Sequence, residues 1–144
     1  MKRRLHIIFR TYFPALLWLA AATYLFLMPT DGLESTSLID IPYADKWVHM
    51  ALFLGLVQLW LMPQYLHRNA LPKKTAWSAL LLAVAYGIAI EIVQGSFTAN
   101  RSADPWDVLA DTSGAVLGIL LLPWVVRRFI LPQSQDSSTP ENGR

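Results

Sequence analysis

Two apolar stretches of this chain carry carboxylates where lipid-facing sequence would carry none. Glu91 and Gln94 stand inside the run 77–97, Asp111 near the start of the run 108–130, and Asp107 immediately before it. A carboxylate at mid-membrane costs about 2.5–3.5 kcal/mol on insertion scales, so such a group must face a bundle interior and find a partner. His49 and Arg101 are the partners available to Glu91. Spacing sorts these residues onto helix faces: Asp45 with His49, Gly87 with Glu91 and Gln94, and Asp107 with Asp111, Gly114 and Gly118, each set separated by three or four positions. Three chemistries suit the set. Helix N-termini together with Lys46, His49 and Arg101 would hold a phosphate. Glu91 and His49 would act as general base and acid. A divalent ion would take His49, Glu91, Asp107 and Asp111, with Zn or Mn favoured by one imidazole among carboxylates. The spacing matches no compact metal motif, so no metal is assigned and the cofactor stays open. No Ser-His-Asp arrangement or phosphate loop can be read. His49, Glu91 and Asp107 are therefore the catalytic candidates, and Asp45, Lys46, Gln94, Arg101 and Asp111 the ligand-binding ones.

The elements that position them follow from composition. Of 144 residues, 54% are hydrophobic and only 15% charged, with a net charge of +2; charged residues make up about a quarter of an ordinary soluble chain. The deficit points to a membrane, and six Trp with five Tyr fit aromatic belts at its interfaces. So small a net charge, with no matching motif, argues against nucleic acid. The absence of Cys removes disulfides, thiolate zinc sites and Cys nucleophiles.

Four apolar segments, at about 11–28, 48–66, 77–97 and 108–130, predict an all-α integral membrane protein: an antiparallel four-helix bundle occupying 1–131, followed by a disordered cytoplasmic tail over 132–144. A cleaved signal peptide is the rival reading of the first segment, since Lys2, Arg3 and Arg4 precede Ala20, Ala21 and Ala22. Arg10 and the apolar run continuing to Met28 favour an uncleaved anchor. Residues 29–47 read as a polar loop with one short interfacial turn, 67–75 as a basic loop and 98–107 as a tight polar turn. Asp45 is expected to cap the second helix. Asp104 reads as the N-cap of the fourth, with Pro105 at its first position. Pro63 is placed to kink or end the second helix. Gly114 and Gly118, with Ala110, form a small-residue stripe that with Gly87 is expected to draw helices three and four together.

Lys and Arg mark one side of every crossing. Lys2, Arg3, Arg4, Arg10, Arg68, Lys73, Lys74, Arg127 and Arg128 fall on that side, and only Lys46 and Arg101, among six acids, on the other. By the positive-inside rule both termini lie in the cytoplasm. Tyr43, Trp47 and Trp106 then belong to an outer aromatic belt, and Tyr12, Tyr65, Trp77 and Trp124 to an inner one. The same alternation brings the starts of helices two and four and the end of helix three to one outward-facing mouth.

The motifs Asp45-Lys46 with His49, Tyr86-Gly87 with Glu91 and Gln94, and Arg101 with Asp107, Gly114 and Gly118 resemble the VanZ-like membrane proteins over about 45–118. The family pattern usually has Asn where this chain has Asp111, which adds an acid to the site. The family is named for a protein linked to low-level teicoplanin resistance. The resemblance implies a multi-pass protein of the bacterial inner membrane with a role in the cell envelope. The expected ligand is a phosphate-bearing membrane lipid or lipid-linked wall precursor. A small membrane hydrolase or transferase and a non-catalytic partner of an envelope protein complex are the alternatives.

Overall fold

The computed structural model describes residues 2–28, 42–97 and 104–131. Among them are four α-helices: α1 (Lys2–Leu27), α2 (Ala44–Arg68), α3 (Lys73–Phe97) and α4 (Pro105–Val125), the last widening into a π-helical turn over Val126–Ile130. The expected tail and most of the 29–47 loop lie outside the described residues. The chain is all-helical because every long apolar run must satisfy its own backbone N–H and C=O groups. α2, α3 and α4 are each long and apolar enough to cross a membrane. α1 is not among those three; its first half carries Lys2, Arg3, Arg4 and Arg10.

The helices start earlier than the apolar runs suggest. α2 opens at Ala44, so Asp45 and Lys46 occupy its first turn, and its N-cap is Tyr43 in the left-handed region (φ 58°) with no side-chain cap bond. Asp45 therefore does not cap this helix. α2 also runs through Pro63 to Arg68, because the one hydrogen bond a proline removes is offset by packing on both sides of it. Leu61 and Tyr65, either side of that proline, are buried. Asp104 is an N-cap: its backbone is extended, its carboxylate accepts from the Trp106 N–H at 3.0 Å, and Pro105 follows.

The core is built around α2 and α4. Phe53, Val57 and Leu61 pack with Ala115, Leu122 and Val126, and Ala22 and Phe26 of α1 and Ala83 and Ile90 of α3 close over them. Lipid-length helices expose much apolar surface here: Trp47, Trp77, Trp106 and Trp124 are all exposed, as aromatic belts require. Tyr65 is an exception to the expected inner belt, since its side chain is buried in the core. The small-residue stripe also faces another helix than expected. A methyl group on Gly114 would fall on the Met50 backbone carbonyl, and one on Gly118 would sit 2.9 Å from the Leu54 carbonyl oxygen. Both belong to α2. The stripe seats α4 against α2, and only Gly87 lies on the α3–α4 side, where Asp111 packs over it.

Candidate functional site

The first turns of α2 and α4 and the last turns of α3 meet at one end of the bundle. Lys46, on the first turn of α2, reaches across to α4: its ammonium donates to Asp104 Oδ2 at 2.7 Å, Asp107 Oδ1 at 2.8 Å and Asp45 Oδ2 at 3.1 Å. Asp104 thus works twice, with Oδ1 closing the α4 N-terminus and Oδ2 holding Lys46. The Lys46 hydrogen bond, joined by the cap bond, holds the Asp104 carboxyl below the usual carboxylate range.

One helical turn deeper lies His49, buried at 3% exposure. Its Nδ1 is 3.0 Å from Oδ1 of Asp111, itself wholly buried. Where Asp111 is ionised it can only accept, and the contact then puts a proton on Nδ1. Nε2 faces Asp107 Oδ2 at 4.0 Å, beyond hydrogen-bonding range. The Phe26 ring packs on the imidazole with centroids 4.4 Å apart. From α3, Glu91 brings a buried carboxylate whose Oε2 accepts the Asp104 backbone N–H at 2.8 Å. That bond is the partner of Glu91 among the described residues; Arg101, expected to pair with it or to anchor an anion, lies outside them.

Not every expected site residue joins this group. His49, Glu91, Asp107, Asp111 and Lys46 do, whereas Asp45 sits at the exposed rim of the Lys46 cluster. Gln94 is turned toward α1, where its amide donates to the Phe26 carbonyl at 2.8 Å. It secures α3 to α1 just behind the imidazole. Two contributors escaped sequence reasoning. Asp104 looked like a cap alone, and the cap motif hid its second oxygen. Thr23 of α1 shares a 2.8 Å hydrogen bond with the Tyr86 hydroxyl, and only a polar residue recurring in an apolar run could have pointed to it.

Beside the cluster, a cavity of about 610 Å³ opens between α2 and α4. Tyr43, Trp47, Met50, Trp106 and Leu109 wall it, and Lys46 is its ionic lining residue.

Three helices of membrane-crossing length, with an ionisable cluster buried at one end, mark an all-helical protein of membrane type. Its family follows from comparison: the VanZ/LLP1 family matches residues 7–127, and the chain belongs to it. No curated protein and no solved structure matches the chain.

Proposed function

We propose that this protein receives the headgroup of a phosphate-bearing lipid, or of a lipid-linked wall precursor, at the polar end of its bundle. In this reading four helices cross the bacterial cytoplasmic membrane in antiparallel order, both termini are cytoplasmic, and the polar end faces outward. The orientation rests on the Lys and Arg distribution, and the link to the cell envelope and to glycopeptide tolerance rests on family membership.

The observation that carries the proposal is the α2–α4 cavity. Its wall is mostly aromatic and aliphatic, with Ser113 among its lining, and it meets Lys46, which is bonded directly to Asp107 of the cluster. An acyl or isoprenoid chain fits such a wall, and its headgroup would then lie at the Lys46 end.

The His49–Asp111 pair favours a second reading, in which the headgroup is also a substrate. A carboxyl group bonded to Nδ1 orients the ring, and Glu91 converges on it as the second proton-transfer group. The partner-protein alternative has no comparable observation behind it.

The test compares envelope lipids and lipid-linked precursors by mass spectrometry in cells lacking the gene, complemented with wild type, Ala110→Trp or Glu91→Gln at matched membrane abundance. Ala110 lines the cavity, and an indole there fills it. A lipid that changes on deletion and returns with wild type but not with Ala110→Trp supports the binding reading. Loss with Glu91→Gln as well supports chemistry. A profile restored equally by all three variants overturns both.

A further inference from the structure

Three side chains from three helices converge with one polar atom of each unspent. His49, Glu91 and Asp107 each offer a ligand atom, and these atoms all lie within 4.8 Å of one another. Each residue is gripped from outside by its other polar atom. His49 Nδ1 is held by Asp111 at 3.0 Å, Asp107 Oδ1 by Lys46 at 2.8 Å, and Glu91 Oε2 by the Asp104 backbone N–H at 2.8 Å. What remains is Nε2 of the imidazole, Oδ2 of Asp107 and Oε1 of Glu91. Glu91 is 5% exposed, and Oε1 is buried with no hydrogen-bond donor among the described residues.

A buried carboxylate oxygen without a donor is expensive, and this one belongs to a side chain that converges with an imidazole and a second carboxylate. With both carboxylates ionised, a single proton on Nε2 serves only one of the two facing oxygens. A cation satisfies all three at once. We propose that His49 Nε2, Glu91 Oε1 and Asp107 Oδ2 form a binding site for one divalent metal ion, with Asp111, Lys46 and the Asp104 N–H as its orienting outer partners.

The outer contacts are those a metal site needs. A metal-bound histidine generally gives its second N–H to a carboxylate, and ligating carboxylates are themselves hydrogen-bonded. With metal–ligand bonds of about 2.0–2.2 Å at tetrahedral angles, two ligands stand roughly 3.4 Å apart, so the 4.0 Å between His49 Nε2 and Asp107 Oδ2 must close a little around an ion. The other separations lie within 4.8 Å and must close by up to about 1.4 Å through rotation of the two carboxylate side chains to reach that spacing. One imidazole with two carboxylates selects Zn²⁺ or Mn²⁺ over Mg²⁺ and Ca²⁺, which prefer oxygen alone. Charge points the same way: among the described residues Asp45, Asp104 and Asp107 share the Lys46 ammonium, while Asp111 bonds His49 and Glu91 accepts from the Asp104 N–H.

The site stands independently of the lipid reading and is tested without lipid. The tag-free full-length protein, stripped with chelator in detergent, is titrated with Zn²⁺ by calorimetry and with Mn²⁺ by electron paramagnetic resonance. Wild type should take up one equivalent, and the ion should raise its thermal unfolding midpoint. Glu91→Gln, nearly isosteric and checked for helicity, should weaken binding at least tenfold and lose the thermal shift. Asp111→Ala should weaken it about 10–100-fold by freeing the imidazole. Asp111→Asn, which keeps an acceptor for the Nδ1 proton, should stay closer to wild type. Absence of saturable uptake by folded wild type overturns the proposal, and so does equal affinity in wild type and Glu91→Gln, which would put the ion elsewhere. Either failure leaves the Ala110→Trp arm of the lipid experiment unaffected.

Discussion

Gly114→Ala is a severe test of how α2 and α4 are seated. The new methyl would land on the Met50 carbonyl oxygen and 2.9 Å from Met50 Cα and carbonyl carbon. These are backbone atoms of a neighbouring helix, so no rotamer relieves the contact and α2 must move. Overpacking of this kind costs about 1–3 kcal/mol, and rigid obstruction places it near the upper end, about 3 kcal/mol. Alanine returns about 1 kcal/mol of helix propensity. The net loss is about 2 kcal/mol, a roughly thirty-fold shift in the unfolding equilibrium at about 1.4 kcal/mol per tenfold. Gly118→Ala meets one backbone oxygen at 2.9 Å and otherwise nothing closer than 3.4 Å, so its clash and propensity terms nearly cancel, to within about 1 kcal/mol. The assay is reversible unfolding in mixed micelles, followed by helical circular dichroism over increasing sodium dodecyl sulfate. The site supplies a second readout, because Met50 follows His49 directly and Gly114 lies one turn beyond Asp111. Moving α2 therefore stretches the His49–Asp111 contact and weakens metal uptake. A Gly114→Ala protein as stable as wild type, or more so, would refute the close approach and the register it imposes on the site.

Three other outcomes follow from the same geometry. Lys46→Met strips the ammonium from Asp45, Asp104 and Asp107 and should destabilise the fold by about 2–3 kcal/mol, less than the roughly 3–5 kcal/mol of a fully buried broken pair because the amine keeps solvent contact; adding Asp104→Asn should recover part of the loss in the same micelle assay. Asp104 is held below its ordinary carboxylate range, so its contribution is present above the unfolded value of about 3.9 and disappears as pH falls through the lower folded value. The stability difference between wild type and Asp104→Asn should thus be constant from neutral pH to about pH 4 and shrink below it, and a difference that grows on acidification would contradict the Lys46 contact. The chain has no Cys, which makes single-cysteine labelling clean: Ala70→Cys should react with an impermeant maleimide only after the cells are opened, and Pro42→Cys in intact cells once the outer layers are permeable. The reverse pattern would invert the bundle.

Much of the site was legible because positions along one helix are fixed by its own geometry. A rise of about 1.5 Å and a turn of 3.6 residues put His49 one turn below Asp45, and Asp111 one turn below Asp107, wherever the helices go. The start of α2, the end of α3 and the start of α4 do come together, joined by the bonds from Lys46 to Asp107 and from the Asp104 N–H to Glu91. The match of side chain to side chain was not legible, because register between helices is decided by packing. Gly114 and Gly118 announce a close approach without saying to what, and the helix that fills the gap is α2, where Met50 and Leu54 present bare backbone. That choice carries His49 onto Asp111 and turns a residue that spacing made one more acid into the one that sets the imidazole tautomer. Helix starts were obscured for a related reason. Asp45 and Lys46 read as loop because they are charged, yet a first turn can hold them when a neighbouring helix supplies the countercharges, and Asp104 and Asp107 do so across the gap. The finest feature lies beyond any pattern in the chain. A sequence can place three ligand-type residues at one end of a bundle, but only the outer contacts decide which atom of each is spent and which is left facing the common centre.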